Sequence, residues 1–271
     1  MDLLQAIFLG ILQGITEFLP VSSSGHLVLA RSLFGRDLEA GITFEIVVHF
    51  GSFCSIVLYY RKLIAEILGD LFKSLTPNGL RIGMYKTNSN VKFSYYILIS
   101  MIPAMIIGFT LQDKIEELFL NPFFVSCMLL VTGTLLFSTK FVKSPEEKVN
   151  GIRSLIMGIA QAFAIIPGIS RSGSTISIGL FTGMKREEVA NFSFLMVLPV
   201  LAGAMLLAMM DLMETGIEAA AVITLVAGFF TSFISGYLAL SYLVKLLKNA
   251  KFYYFSYYCW VVGIAGIIYF F

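Results

Sequence analysis

Six stretches of the chain are apolar without interruption for long enough to cross a bilayer, at about 42 to 60, 93 to 111, 119 to 141, 190 to 210, 219 to 244 and 254 to 271. Two further apolar segments follow a different pattern. Leu3 to Leu19 stops at Pro20 and a Ser-Ser-Ser-Gly run, and Ile152 to Ile166 stops at Pro167 and Ser170-Arg171-Ser172-Gly173. Each leads into a second apolar helix, at about 26 to 34 and 174 to 183, too short for a hydrocarbon core of ~30 Å. Helix, polar break, short helix predicts a re-entrant hairpin. The first run has no basic segment before it and no small-residue cleavage site after it, so it is expected to be a helix of the mature protein rather than a signal peptide.

Composition agrees with the pattern. Of 271 residues, 58% are hydrophobic and 13% charged, about half the roughly 25% charged fraction of soluble domains, and the mean hydropathy is +0.86. The expected class is therefore an all-α polytopic membrane protein whose partner is the lipid bilayer. Lys+Arg 19 against Asp+Glu 17 leaves no basic excess for nucleic acid. Cys54, Cys127 and Cys259 lie singly in separate apolar segments, as packing residues do.

The charges that remain orient the chain. The segment 61 to 92 holds Arg61, Lys62, Lys73, Arg81, Lys86 and Lys92, and 140 to 153 holds Lys140, Lys143, Lys148 and Arg153, so both are expected in the cytoplasm. The acidic turns Asp113 to Glu117 and Asp211 to Glu218 are expected outside. Lys185 and Arg186 then fall inside only if 152 to 183 enters and leaves on one side. Both termini come out external, with Arg31 and Arg36 partly offset by Asp37 and Glu39.

The two hairpins are related in sequence. Gly10-Ile11-Leu12-Gln13 aligns with Gly158-Ile159-Ala160-Gln161 at an offset of 148, as do Ser24-Gly25 with Ser172-Gly173 and Phe44 with Phe192; the proline slips by one. The chain therefore reads as one membrane domain, 1–271, of two repeats at about 1–141 and 150–271. Each is a re-entrant hairpin plus three transmembrane helices. Because three is odd, the copies are expected to be inverted, with the polar breaks meeting inside the membrane.

These breaks concentrate the candidate chemistry. Gln13 and Glu17 are four apart and share a helix face. A carboxylate in a membrane helix costs about 2.5 to 3.5 kcal/mol on insertion scales, so Glu17 is expected to be functional rather than only a partner of Arg171 or a cap. Ser22, Ser23 and Ser24 stand at a helix start, where hydroxyls, free N–H groups and the helix dipole favour an anion. Ser24 is read as a cap only, and His26, one turn in, as a proton shuttle, a nucleophile or a packed histidine. In the second break Ser170, Ser172 and Thr175 surround Arg171, whose guanidinium matches phosphate oxygens and stays charged when buried. A carboxylate beside phosphate repels it unless it is protonated, binds a metal or handles a proton. All three imply chemistry rather than passive binding.

At these motifs the sequence resembles the undecaprenyl-diphosphate phosphatase family of the bacitracin-resistance type. Gln13 to Glu17 fits that family's acidic-or-amide, three residues, glutamate motif; Pro20 to His26 fits its proline-serine-glycine-histidine segment; Pro167 to Thr175 fits its proline-glycine-x-serine-arginine-serine motif. The resemblance covers essentially the full chain. It implies a plasma-membrane hydrolase that removes the terminal phosphate of undecaprenyl diphosphate, recycles the carrier for cell-wall synthesis and confers bacitracin resistance. It also implies dependence on a divalent cation, Mg or Ca, with Glu17 either a proton handler or the protein ligand of that cation. Many members carry glutamate at the place of Gln13, so the anionic role falls to Glu17 here.

On this resemblance Glu17, Ser23, His26 and Arg171 form the catalytic set, and Gln13, Ser22, Ser170, Ser172 and Thr175 the substrate-binding set. Ser23 is the best nucleophile, with His26 or water as alternatives, and the site is expected to face outward. A flippase or transporter of a phosphorylated lipid carrier is the competing reading, since inverted repeats with broken helices also build transporters. Glu45 and His49 share a face of the first span and are expected to line the cavity or pair with each other; Asn191 and Ser193 are expected to make interhelical hydrogen bonds. Leu63 to Leu75 is amphipathic and expected to lie at the cytoplasmic interface. Gly203-Ala204 permits close helix contact, including that of a homodimer, without deciding between monomer and dimer.

Overall fold

The computed structural model describes residues 1–34, 42–142, 146–215, 222–248 and 251–271. Arg36, Asp37, Glu39, Lys143 and Glu218, used in the orientation argument, lie outside the described residues. The described chain is helical, and its one β-type pairing is an isolated bridge between Glu147 and Met184.

The first hairpin is α1 (Leu3–Phe18) and α2 (Ser23–Phe34). It is followed by α3 (Ile42–Ser74), the short α4 (Pro77–Ile82) and α5 (Met84–Thr87), α6 (Ser89–Thr110), the surface helix α7 (Gln112–Phe119) and α8 (Pro122–Ser138). The second hairpin is α9 (Gly151–Phe163) and α10 (Arg171–Phe181). After it come α11 (Arg186–Met196), α12 (Leu198–Thr215), α13 (Val222–Lys248) and α14 (Phe255–Phe270). Six helices or helix pairs are long and apolar enough to span, whereas α1 and α9 are shorter apolar helices. The chain is thus an all-α polytopic membrane protein, and large apolar side chains within its spans, such as Leu98, Ile106, Leu238 and Ile264, are exposed, as lipid contact permits.

Two elements depart from the expected layout. The apolar stretch read at 42 to 60 continues as helix through the amphipathic Leu63 to Ser74: α3 runs unbroken for 33 residues, about 50 Å at 1.5 Å per residue, because nothing between Tyr60 and Ser74 interrupts the backbone ladder. The fourth span is instead divided at Val197 into α11 and α12, next to Pro199, which cannot donate a backbone hydrogen bond.

Small residues bring the helices together. A Cβ on Gly14 would fall on Ser235 Oγ and the Ser232 carbonyl of α13, and Gly158 of α9 lies equally close to Ser100 of α6. Ser232 donates to Val48 O at 2.6 Å and Ser55 to Phe233 O at 2.7 Å, tying α3 to α13. Each hairpin's first helix therefore packs on a helix of the other half, α1 on α13 and α9 on α6. The foot of the second hairpin is closed on itself: Glu147 N donates to Gly183 O at 2.8 Å, Lys185 N to Glu147 O at 2.9 Å, and Arg153 Nε to Thr182 O at 3.1 Å. The start of α9 and the end of α10 thus lie side by side. The main core, with Phe18, Tyr60, Ile176, Phe192, Phe194 and Leu240, packs beneath the hairpin tips.

Candidate active site

Both hairpin tips are built alike. Pro20 and Pro167 end the incoming helices, and Ser22 and Ser170 cap the outgoing ones, accepting from Gly25 N at 3.3 Å and Gly173 N at 3.1 Å. Each capping hydroxyl also meets the serine two residues on, Ser22 with Ser24 and Ser170 with Ser172, both at 3.3 Å. The outgoing helices start at Ser23 and Arg171, earlier than the apolar pattern predicts because their first turns are polar. N–H groups in those first turns have no intrahelical carbonyl, so the two helix starts carry free donors and the positive dipole end.

The tips touch, and reciprocally. A Cβ on Gly25 would lie 3.1 Å from Gly168 Cα, and one on Gly173 would lie 3.4 Å from Pro20 Cβ; the pairs 25/173 and 20/168 are both related by the offset of 148. Gly168 has φ +91°, and Ser22 is the one described non-glycine residue at positive φ, +70°. Such a conformation costs a serine about 1–3 kcal/mol and is held by its surroundings. Here the His26 ring bonds the Ser22 carbonyl at 2.8 Å. Thr132 of α8 fixes the other tip, donating to Gly168 O at 2.9 Å and accepting from Ser170 N at 3.0 Å.

Glu17 joins the two tips. Its Oε1 lies 2.6 Å from an Arg171 terminal nitrogen, with the two side chains only 9% and 14% exposed. Its Oε2 accepts from Ser23 Oγ at 2.7 Å and from Gln13 Nε2 at 3.0 Å. The other Arg171 terminal nitrogen is buried without a partner, leaving the guanidinium spare donor capacity beside the serine. Ser23 is half-buried and open to a ligand, whereas Ser22, Ser170, Ser172 and Thr175 are buried. Thr175 is satisfied within the protein, meeting Ser193 Oγ at 2.6 Å and donating to Arg171 O at 2.9 Å. That geometry makes it a brace for the Arg171 turn rather than a group aimed at a ligand.

His26 does not face the Ser23–Glu17 pair. A carbonyl only accepts, so Nδ1–H donates to Ser22 O, and Nε2 meets the Tyr258 hydroxyl at 2.8 Å, with the two rings stacked at 5.5 Å. Glu45 and His49 do not pair with each other: Glu45 forms an ion pair with Arg31, while His49 Nδ1 accepts from Gln13 Nε2 at 2.9 Å and lies 3.9 Å from Glu17 Oε2. His49, Thr132 and Tyr258 are the residues of this centre that the motifs did not single out. Only the position of His49 on the Glu45 face hinted at one of them.

Among the described residues no group of three His, Cys, Asp or Glu side chains could hold a cation by itself. The Gln13 side-chain carbonyl is buried without a partner on a side chain that touches Glu17. The carboxylate is a hard oxygen donor, and the orphaned carbonyl, on an amide that turns its nitrogen to Glu17, is a second; oxygens of this kind suit Mg or Ca when the remaining ligands come with a phosphorylated ligand.

Fold and site together define a polytopic membrane protein with a serine–carboxylate–arginine centre held between two helical hairpins. The sequence model of the family described as bacitracin resistance protein BacA matches residues 6–265, and the chain belongs to that family. Proteins named undecaprenyl-diphosphatase match it end to end. That of Desulforapulum autotrophicum is 41% identical, covering 99% of this chain and 98% of its own; that of Bacteroides thetaiotaomicron is 39% identical, covering 99% of each; that of Salinibacter ruber is 38% identical, covering 97% of each.

Proposed function

We propose that the chain hydrolyses undecaprenyl diphosphate to undecaprenyl phosphate and inorganic phosphate, returning the lipid carrier to cell-wall synthesis and lowering sensitivity to bacitracin. The observation that carries this reading is the shared carboxylate: Glu17 holds the Ser23 hydroxyl proton at 2.7 Å on one oxygen and Arg171 at 2.6 Å on the other. This is the pairing of nucleophile, base and phosphate-binding cation that phosphoryl transfer requires. A passive carrier needs no such base.

The terminal phosphate enters between the tips, where the spare Arg171 donor and the first-turn N–H groups of both outgoing helices receive its oxygens, while the buried Ser170 and Ser172 hydroxyls hold the shape of the second tip. Ser23 Oγ attacks phosphorus, its proton passes to Glu17, and the bond to the bridging oxygen breaks, releasing undecaprenyl phosphate. Glu17 hands that proton to the departing phosphate; the regenerated carboxylate then takes a proton from water, which attacks phosphoserine, and returns it to Ser23 Oγ as inorganic phosphate leaves. Preorganised donors aimed at the transferring phosphoryl group supply the largest part of such a rate enhancement. His26 and Ser22 act by holding the turn that aims Ser23. Glu17 and the Gln13 carbonyl are the groups that would hold the divalent cation, which supplies charge neutralisation for the diphosphate.

The site opens to the outer face of a bacterial plasma membrane in this reading. Purified protein in detergent, given undecaprenyl or farnesyl diphosphate, releases inorganic phosphate. A flippase would not, because detergent removes its two sides, and absence of release from folded protein refutes the proposal.

A further inference from the structure

Beside the second hairpin, α6, α7 and α9 line a half-open apolar cavity of about 450 Å³, within the roughly 300–1,000 Å³ of small-molecule sites. Pro103 and Ile107 of α6, Ile115 and Leu118 of α7, and Ala162 and Ile166 of the second hairpin form its walls. Pro103 lies inside α6, where a proline removes one backbone hydrogen bond from the ladder, and its ring forms part of the wall. Ile115 and Leu118, three apart on one face of α7, then roof the opening. In the first hairpin Gly14, 148 positions before Ala162, lies directly against Ser232 and Ser235 of α13, a helix without proline.

We propose that this cavity binds the isoprenoid chain of the lipid diphosphate whose phosphates lie at Arg171, an assignment that rests on the activity proposed above. Continuity with the centre argues for this occupant. Ile165 and Ile166 line the cavity, and the chain from Ile166 to Arg171 spans at most about 18 Å even if fully extended. A long polyprenyl chain anchored by its diphosphate at Arg171 therefore reaches the cavity along the hairpin tip. Its walls are hydrocarbon, and the single charged lining residue, Lys114, is exposed, so the ligand it accepts carries no polar group along its length. A phospholipid acyl chain would fit the same walls, but its headgroup has no reason to occupy Arg171.

The test uses the full chain in detergent with a benzophenone-bearing farnesyl diphosphate analogue. The label is expected on peptides covering 103–118 or 159–166, suppressed by excess farnesyl diphosphate and unaffected by phosphatidylglycerol. Ala162→Phe fills the cavity and should raise KM for undecaprenyl diphosphate about tenfold with kcat within about twofold, the signature of lost uniform binding. Ile152→Phe, on the exposed foot of α9, should change neither. Labelling elsewhere, equal suppression by phosphatidylglycerol, or a folded Ala162→Phe with unchanged KM overturns the assignment. If the unaltered protein releases no phosphate yet farnesyl diphosphate still suppresses the label, the activity reading falls while the binding site stands.

Discussion

Glu17 has three partners on two oxygens, and their division decides what each substitution does. Glu17→Gln keeps the shape of the side chain but can neither take the Ser23 proton nor balance Arg171. Loss of a positioned acid–base group costs about 10²- to 10⁴-fold in rate, and that loss is expected in phosphate release measured per unit of folded protein. Unchanged turnover would remove Glu17 from the mechanism. Ser23→Ala should be at least as severe and should abolish any acid-stable phosphoenzyme. His26→Ala removes bonds to Ser22 O and Tyr258 instead of a group facing Ser23. Losing both bonds, about 1 kcal/mol each, predicts no more than roughly a thirtyfold fall; a loss matching that of Ser23→Ala would restore His26 as a chemical participant. Chelation by EDTA should stop phosphate release and added Mg or Ca restore it, and full activity in EDTA would leave Glu17 and Gln13 without a cation.

At the scale of elements, the hairpin tips are where backbone conformation is most constrained. Gly168 combines φ +91° with a position where a Cβ would fall on Val125 O and 2.7 Å from Met128 Cβ. Gly168→Ala should therefore cost more than the roughly 1–2 kcal/mol of left-handed strain alone, lower the thermal midpoint in detergent and reduce activity by moving Ser170 and Arg171. Gly69, in α3 with nothing within 4 Å, is the contrast: Gly69→Ala should raise stability by up to about 1 kcal/mol. Equal midpoints for the two variants would mean that the tip is not under this constraint. The tips were also the most legible part of the sequence. Proline stops, serine caps and the Glu17 and Arg171 charges are local signals, because each acts through its own backbone or through the cost of charge in an apolar run. Less legible were contacts made only by packing: His49 meets Gln13 across 36 positions, Thr132 meets Ser170 across 38, and Tyr258 meets His26 across 232. No periodicity encodes those pairings. The length of α3 was not readable from hydropathy for a different reason, since amphipathicity after residue 60 signals a change of surroundings and says nothing about where the helix ends.

For the whole molecule, the question is which face the centre opens to, and the described contacts narrow it. Glu147 bonded to Gly183 and Lys185 puts the foot of the second hairpin together with the basic segment before α9, so Lys148, Arg153 and Lys185 lie on one side, which the excess of positive residues predicts to be the cytoplasmic one. Glu117, at the other end of α6 and α7, is then predicted to lie outside. In a background with Cys54, Cys127 and Cys259 replaced, single cysteines at Glu117, Lys86 and Lys148 test this directly with a membrane-impermeant maleimide on intact cells. Glu117→Cys is expected to label at once, and Lys86→Cys and Lys148→Cys only after permeabilisation. Ser24→Cys, half-buried beside the proposed nucleophile, should label from outside and be protected by excess farnesyl diphosphate. The opposite pattern at Glu117 and Lys86 would invert the whole topology. Labelling of Ser24→Cys only from the cytoplasm, with the other two as expected, would keep the topology and turn the centre inward, so that the carrier would have to cross the membrane before losing its phosphate.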